Sequence, residues 1–335
     1  MKTEILSAHT PPLFLEAVRR AAELLRAGQV VALPTETVYG LAANALDENA
    51  VARLFEVKGR PENNPIIVHV AGLEMAGRCV SHWPAAADKL AAAFWPGPLT
   101  LVLPRAKCIP KIVTAGGPAV GIRWPAHPLI QAVIRACDFA LAAPSANLSH
   151  RVSPTSAEHV RRQLGGKIPL IVDGGPSQVG IESTVLDLTV SPPQILRPGM
   201  NHAESLAAVV ENLQCSTFNL QPSIPRSPGL LRKHYSPKAK LAVLNWRDEG
   251  DLNRQLSILN IQPAGCHVIT HTKIPSGGTL ARVSVAPHDA EAFARALYAE
   301  LHRCDEAGAE WIVVEAPPEA PEWSGIADRL RRAAA

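Results

Sequence analysis

Aromatic residues are scarce in this 335-residue chain, with six Trp, three Tyr and six Phe making 4% of the whole. So few rings offer no obvious stacking platform for bases, and a formal net charge of +3 gives no general electrostatic footprint for a phosphate backbone. Strong direct binding of tRNA or other RNA is therefore not expected. Cysteine is also sparse. Cys79, Cys108, Cys137, Cys215, Cys266 and Cys304 lie far apart with no Cys-x-x-Cys pair, which argues against a disulfide framework and against a zinc site. Long hydrophobic runs are missing: stretches such as Leu99 to Leu103 fall well short of the roughly 18 to 20 residues that a membrane helix needs. No transmembrane segment and no membrane partner are expected. The start, Met1-Lys2-Thr3-Glu4, lacks the basic, apolar and small-residue succession of an export signal, so a cytoplasmic location is expected. Absent too are a Gly-x4-Gly-Lys-Ser/Thr phosphate loop, a His-Glu-x-x-His pair and a Gly-x-Ser-x-Gly elbow. Any nucleotide chemistry must use another architecture.

What is present is core material. A hydrophobic fraction of 47% excludes a disordered chain, and the length suits about two domains. Proline and glycine, 30 and 22 residues, must punctuate a folded chain rather than form a low-complexity one.

Apolar residues from Leu13 to Ala27 recur at helical spacing, Gly28 closes them, and Val30 to Leu33 reads as a buried strand. A second helix runs from about Glu48 to Val57 with Asp47 as its N-cap, followed by a strand over Ile66 to Val70. Further strands are expected at Leu99 to Leu103, Ala119 to Arg123, Phe139 to Ala142, Leu170 to Val172 and Thr184 to Leu188. Helices are expected between them at Ala85 to Phe94, Leu129 to Cys137 and Ser156 to Leu164, with one more near Ala203 to Leu213. This alternation implies one α/β layered domain over residues 1–213. Residues 214–238, which include Pro222, Pro225, Pro228 and Pro237, read as a linker. Residues 239–335 repeat the rhythm on a smaller scale, with strands at Leu241 to Leu244, His267 to Thr270, Arg282 to Val285 and Ile312 to Val314, and helices near Leu252 to Leu259 and Ala290 to Glu306. They form a small Rossmann-like layer. No Gly-x-Gly-x-x-Gly follows any of its strands.

Polar and basic residues recur just beyond the predicted elements, where loops of α/β sheets build sites. Pro34-Thr35-Glu36-Thr37-Val38-Tyr39-Gly40 follows a strand with two hydroxyls, a carboxylate and a phenol, yet suits an ordinary proline-started turn. Lys58-Gly59-Arg60-Pro61-Glu62-Asn63-Asn64-Pro65 places two cations where they could share one polyphosphate, but Lys, Gly and Pro in that order also simply end a helix. His69 lies in an apolar strand, where a lone histidine is more often a core residue. Arg123 ends a strand before Trp124-Pro125, Ser145 and Asn147 follow another, Ser183 precedes a third, and Arg197 ends the strand before Pro198-Gly199. Each taken singly could be bland. Together, Lys58, Arg60, Arg123 and Arg197 with Thr35, Ser145, Asn147 and Ser183 make a set of cations and hydroxyls without a nucleophile, suited to stabilising an anionic phosphoryl-transfer transition state by position and charge.

Lys58-Gly59-Arg60-Pro61, Pro144-Ser145-Ala146-Asn147, Glu182-Ser183-Thr184-Val185 and Leu196-Arg197-Pro198-Gly199, in this order, resemble the YrdC-type threonylcarbamoyl-AMP synthases. The resemblance extends to Pro34 through Leu41, to Phe94-Trp95-Pro96-Gly97-Pro98-Leu99-Thr100, and to Ser227-Pro228-Gly229 through His234-Tyr235-Ser236-Pro237. With a C-terminal domain after the linker, it is similar to the long, two-domain form.

The resemblance implies an open, twisted mixed-sheet catalytic domain with a positively charged cavity, followed by a Rossmann-like domain. It implies a nucleotidyltransferase joining L-threonine, bicarbonate or CO2, and ATP into threonylcarbamoyl-adenylate, with Mg2+ arriving on ATP and no metal held by the protein. The product would pass to a separate transferase complex that modifies tRNA. By the same resemblance Lys58 and Arg60 are catalytic and, with Arg197, bind ATP phosphates; Thr35, His69, Arg123, Ser145 and Ser183 hold threonine; and Asn63, Asn147 and Tyr235 lie on the nucleotide side. The linker would close as a lid, although Leu230-Leu231-Arg232 departs from the Met and aromatic residue common there. Two other readings are an RNA- or ribosome-binding module, which the low charge disfavours, and a carbamoyl-phosphate-using transferase, which the lack of Cys-x-x-Cys disfavours.

Overall fold

The computed structural model describes residues 2–211, 213–215, 234–276 and 278–335. The linker residues 216–233, and with them most of the expected lid, lie outside the described residues. Two compact units divide the chain: residues 150–152 group with 234–335, and the remainder of the described chain forms the first unit.

In the first unit the elements run β1 (Glu4–Ser7), α1 (Pro11–Arg26), β2 (Val31–Leu33), β3 (Gly40–Asn44), α2 (Glu48–Lys58), β4 (Ile67–His69), α3 (Leu73–Cys79), α4 (Ala85–Phe94), β5 (Leu99–Pro104), β6 (Ala119–Arg123), α5 (Pro128–Cys137), β7 (Leu141–Ala142), α6 (Ala157–Leu164), β8 (Leu170–Asp173), β9 (Thr184–Asp187), β10 (Gln194–Arg197), α7 (Ala203–Ala207) and β11 (Gln214–Cys215). The strands form one mixed sheet in the order β1-β8-β2-β3-β7-β4-β6-β5-β9-β10-β11.

The sheet is covered on both faces, which is why its strands read as apolar runs. Val31 and Leu33 of β2 pack with Ala17, Ala21 and Leu25 of α1 and with Leu129, Val133 and Ile134 of α5. The intervening Ala32 faces the other way, into the cluster that holds Leu54 and Phe55 of α2 and Val160 and Leu164 of α6. The expected cap of α2 is in place: Asp47 Oδ1 accepts from the backbone N–H of Asn49 at 2.9 Å and of Ala50 at 3.3 Å. At its other end Gly59 takes a left-handed φ of 57°, where a glycine stops a helix without steric cost.

Several boundaries differ from those expected. The strand anticipated over Phe139 to Ala142 shrinks to Leu141–Ala142, and the helix near Ala203 to Leu213 is regular only over Ala203–Ala207. Gln214 and Cys215, expected to open the linker, pair with β10 at the sheet edge. β3 was not anticipated, because Gly-Leu-Ala-Ala-Asn contains no β-branched residue; its pairing with β2 and β7 makes it a strand.

The second unit contains β12 (Lys240–Leu244), α8 (Glu249–Ile258), β13 (Cys266–Thr270), β14 (Arg282–Val285), α9 (Ala290–Glu306), β15 (Trp311–Glu315) and α10 (Ser324–Ala333). Its four strands are all parallel, in the order β12-β15-β13-β14, the arrangement of a small Rossmann-like layer. Leu252 and Leu256 of α8 pack with Trp246, Val268 and Val313. Glu315 ties the ends of β15 and β13 together: it accepts from the Thr270 hydroxyl at 2.5 Å and from the backbone N–H of His271 at 2.7 Å and Thr272 at 2.9 Å. Burial alone would raise its pKa, but these donors outweigh it and hold the carboxyl at about 2. Among the described residues no helix is long and apolar enough to cross a membrane.

Candidate active site

Ten of the eleven residues expected to form the site, all but Tyr235, lie in the first unit. Four cations there are almost fully withdrawn from water: Lys58 at 2% exposed, Arg123 at 4%, Arg197 at 3% and Arg60 at 7%. Buried cations survive only with acceptors around them, and the loops between the elements supply these.

Lys58 is the last residue of α2 and lies on its buried face with Val51, Leu54 and Phe55, so its side chain runs inward. Its ammonium donates to the carbonyl oxygens of Ser145 and Asn147, with the Asn147 side-chain carbonyl at 3.3 Å. Lys58 thus clamps the segment after β7. Ser145 is half-buried beside a bridge to Gly40, and the amide nitrogen of Ala146 bonds the Tyr39 carbonyl at 2.8 Å. Desolvation first, and the like charge of Arg60 second, hold the Lys58 pKa well below its ordinary value. Arg60 folds back over its own loop, donating from Nε to the Asn64 carbonyl at 3.2 Å and from Nη2 to that of Pro65 at 2.9 Å. Asn63, expected on the nucleotide side, is exposed on this loop, whereas Asn64 is buried with its Nδ2 unbonded among the described residues.

A second cluster forms around Arg123. Its register partner across the parallel pair of β6 and β4 is His69, so the two side chains share one face of the sheet. Arg123 Nη1 donates to Thr37 Oγ1 at 2.9 Å and Nε to the Gly97 carbonyl at 3.3 Å, while Nη2 lies 2.7 Å from Glu36 Oε1. Thr35 and Thr37 share a hydroxyl hydrogen bond of 2.9 Å, and Thr35 Oγ1 donates to the Val38 carbonyl at 2.6 Å, which tightens the turn after β2. Burial, and secondarily the charge of Arg123, lower the His69 pKa to about 3 against a weaker opposing pull from the Ile67 carbonyl, so the ring is neutral. The phenol of Tyr39, at the end of the same turn, donates to the Gly175 carbonyl at 2.7 Å and serves the frame.

The third cluster joins β5, β9 and β10. Ser183 Oγ pairs with Thr100 Oγ1 at 2.8 Å, and Arg197 donates from Nε to the Ser183 carbonyl at 3.1 Å and from Nη2 to its hydroxyl at 3.2 Å. Beside it Ser153 Oγ donates to Glu182 Oε1 at 2.6 Å. Segment 97–100 connects this cluster to the second, since Gly97 accepts from Arg123 and the Pro98 carbonyl accepts from the Thr184 N–H.

Tyr235 belongs to the second unit. It has a φ of 61°, its ring stacks on Tyr298 at 6.0 Å, and the Arg329 guanidinium lies 5.4 Å from its centroid. Glu36, Thr37 and Thr100 were not singled out individually, although each stands inside a motif that was. Their signal is a polar side chain flanking a buried strand, and it became specific only when sheet pairing brought distant strands together.

The family model Sua5–YciO–YrdC, described as telomere recombination, matches residues 23–199, and that of the threonylcarbamoyl-AMP synthase C-terminal domain matches residues 202–335. The threonylcarbamoyl-AMP synthase of Pyrococcus abyssi is 40% identical over 94% of this chain and 93% of its own. That of Bacillus subtilis is 40% identical over 99% of this chain and 95% of its own. Among solved structures, P. abyssi Sua5 complexed with L-threonine superposes with a TM-score of 0.92 at 37% identity, covering 99% of this chain and 98% of that one.

Proposed function

This chain belongs to the Sua5–YciO–YrdC family in its two-domain form, and on that premise we propose that it makes L-threonylcarbamoyladenylate and pyrophosphate from L-threonine, bicarbonate or CO2, and ATP. The observation that carries this reading is the gathering of four dry cations and four hydroxyls within one unit, in a relative of a protein crystallised with L-threonine.

The threonine amine captures CO2, and an oxygen of the resulting carbamate attacks the α-phosphorus of ATP in line while pyrophosphate leaves. Lys58, Arg60 and Arg197 supply fixed positive charge to the phosphoryl oxygens. Sites kept dry make such charges worth more than in water, and a polyanion would in turn restore the depressed Lys58 pKa. Arg123 offers its guanidinium to the threonine carboxylate, with Thr35, His69, Ser145 and Ser183 around the rest of the amino acid. Asn63, Asn147 and Tyr235 take the nucleotide side. Mg2+ enters on the triphosphate as part of the substrate. Residues 1–215 form the catalytic domain, the linker that follows serves as a lid over ATP, and the second unit is the Rossmann-like domain. The enzyme works in the cytoplasm and hands its labile product to a transferase complex acting on tRNA.

The test is pyrophosphate release from ATP by the purified chain with and without L-threonine and bicarbonate, using serine and glycine as controls. Release that requires both co-substrates is expected. ATP consumption indifferent to threonine, or none, overturns the reading.

A further inference from the structure

Four buried polar atoms without a hydrogen-bond partner among the described residues cluster at one guanidinium: Glu36 Oε1 and Oε2, His69 Nδ1 and Arg123 Nη2 itself. Native interiors leave few such atoms, and each one left buried carries a desolvation penalty. Glu36 and His69 both reach Arg123, the first by an ion contact of 2.7 Å and the second as its register partner on β4. That ion contact lacks the direction of a hydrogen bond, since both of its atoms count as unbonded. The cluster therefore holds a guanidinium nitrogen and a carboxylate, paired in charge but without directed hydrogen bonds at Nη2 and Oε2, side by side and withdrawn from water.

A zwitterionic α-amino acid has the complementary pair. Its carboxylate answers Arg123, and its ammonium requires a carboxylate. Among the described groups in contact with Arg123, Glu36 alone is anionic: Thr37 gives a hydroxyl and Gly97 a carbonyl. Glu36 is also 8% exposed, so its charge acts through little solvent.

Resting on the function proposed above, we propose that Glu36 Oε2 binds the α-ammonium of L-threonine and accepts its proton, freeing the amine that captures CO2. The ammonium gives one proton to Oε2, which becomes a carboxylic acid. The nitrogen lone pair then forms the C–N bond while one C=O pair of CO2 moves onto oxygen, and the second N–H proton leaves to solvent, giving the carbamate. Arg123 keeps the substrate carboxylate beside it throughout.

The test compares L-threonine with (R)-3-hydroxybutyrate, the same molecule without its amino group, as calorimetric ligands of the full chain and of E36Q. Glutamine keeps an oxygen for Arg123 and presents no anion. A charge-assisted hydrogen bond predicts that E36Q loses about tenfold to a hundredfold in threonine affinity while the analogue changes by less than about twofold. Turnover falls with it, and E36D recovers part of the preference for threonine. Equal losses for both ligands would assign Glu36 only to holding Arg123, and an unchanged threonine affinity would remove it from the site; either overturns the inference. Should E36Q fail to fold, wild-type protein that binds the analogue as tightly as threonine overturns it equally. Pyrophosphate release by the wild type is measured alongside: its absence refutes the proposed function, whereas its presence with unaltered E36Q refutes the role of Glu36 alone.

Discussion

Acidification provides a direct measure of how dry the Arg123 cluster is, because His69 is buried neutral with a pKa of about 3 in the folded protein against an ordinary 6.5. Below 6.5 the unfolded chain takes up a proton that the folded chain refuses, so stability present above 6.5 is lost steadily as pH falls towards 3. At about pH 5 this one residue favours the unfolded chain by a factor of roughly 30, or about 2 kcal/mol, against almost nothing at about pH 7.5. The side chain is 3% exposed, so solvent screening takes little from that figure. The assay is urea unfolding of wild type and His69→Gln at both pH values. Glutamine cannot titrate, so its variant should lose about 2 kcal/mol less on acidification, whatever its stability at neutral pH. His127 and His267, whose pKa values burial also lowers, are present in both proteins and cancel from the difference. Equal losses in the two proteins would refute the reasoning, for His69 would then accept its proton in the folded state.

Lys58→Ala and Arg60→Ala should each lower threonine-dependent pyrophosphate release by about a hundredfold or more, as loss of a transition-state charge partner does; turnover near wild type would remove the residue from that role. Gly199→Ala would place a Cβ 2.6 Å from the Thr184 nitrogen and 2.9 Å from the Glu182 carbonyl, both backbone atoms that cannot yield cheaply. A loss of about 1 to 3 kcal/mol is expected, with a raised KM for threonine because Ser183 lies between them; an unchanged melting temperature would contradict the close packing.

The local devices were legible in the chain. Asp47 and Gly59 cap α2 as their positions suggest, and the helix ends at Lys58, whose ammonium reaches the carbonyls of Ser145 and Asn147. The two-faced burial of Val31-Ala32-Leu33 follows from an apolar run that must be covered on both sides. Legibility fails at β3, where pairing overrides weak propensity. Side-chain alternation depends on where a strand begins, and strand ends are poorly marked locally.

By itself, the sequence determined the alternation of elements, their caps, the motif order that identifies the family, and which residue types were on hand for phosphate and amino-acid chemistry. Only the tertiary structure decided which of them meet. Ser183 finds Thr100 across 83 residues, Arg123 finds Thr37 across 86, and Lys58 finds Asn147 across 89. Propensity and periodicity act over a few residues, whereas these pairings are set by strand order and register in the sheet, and register alone determines which polar side chains share a face and are buried together.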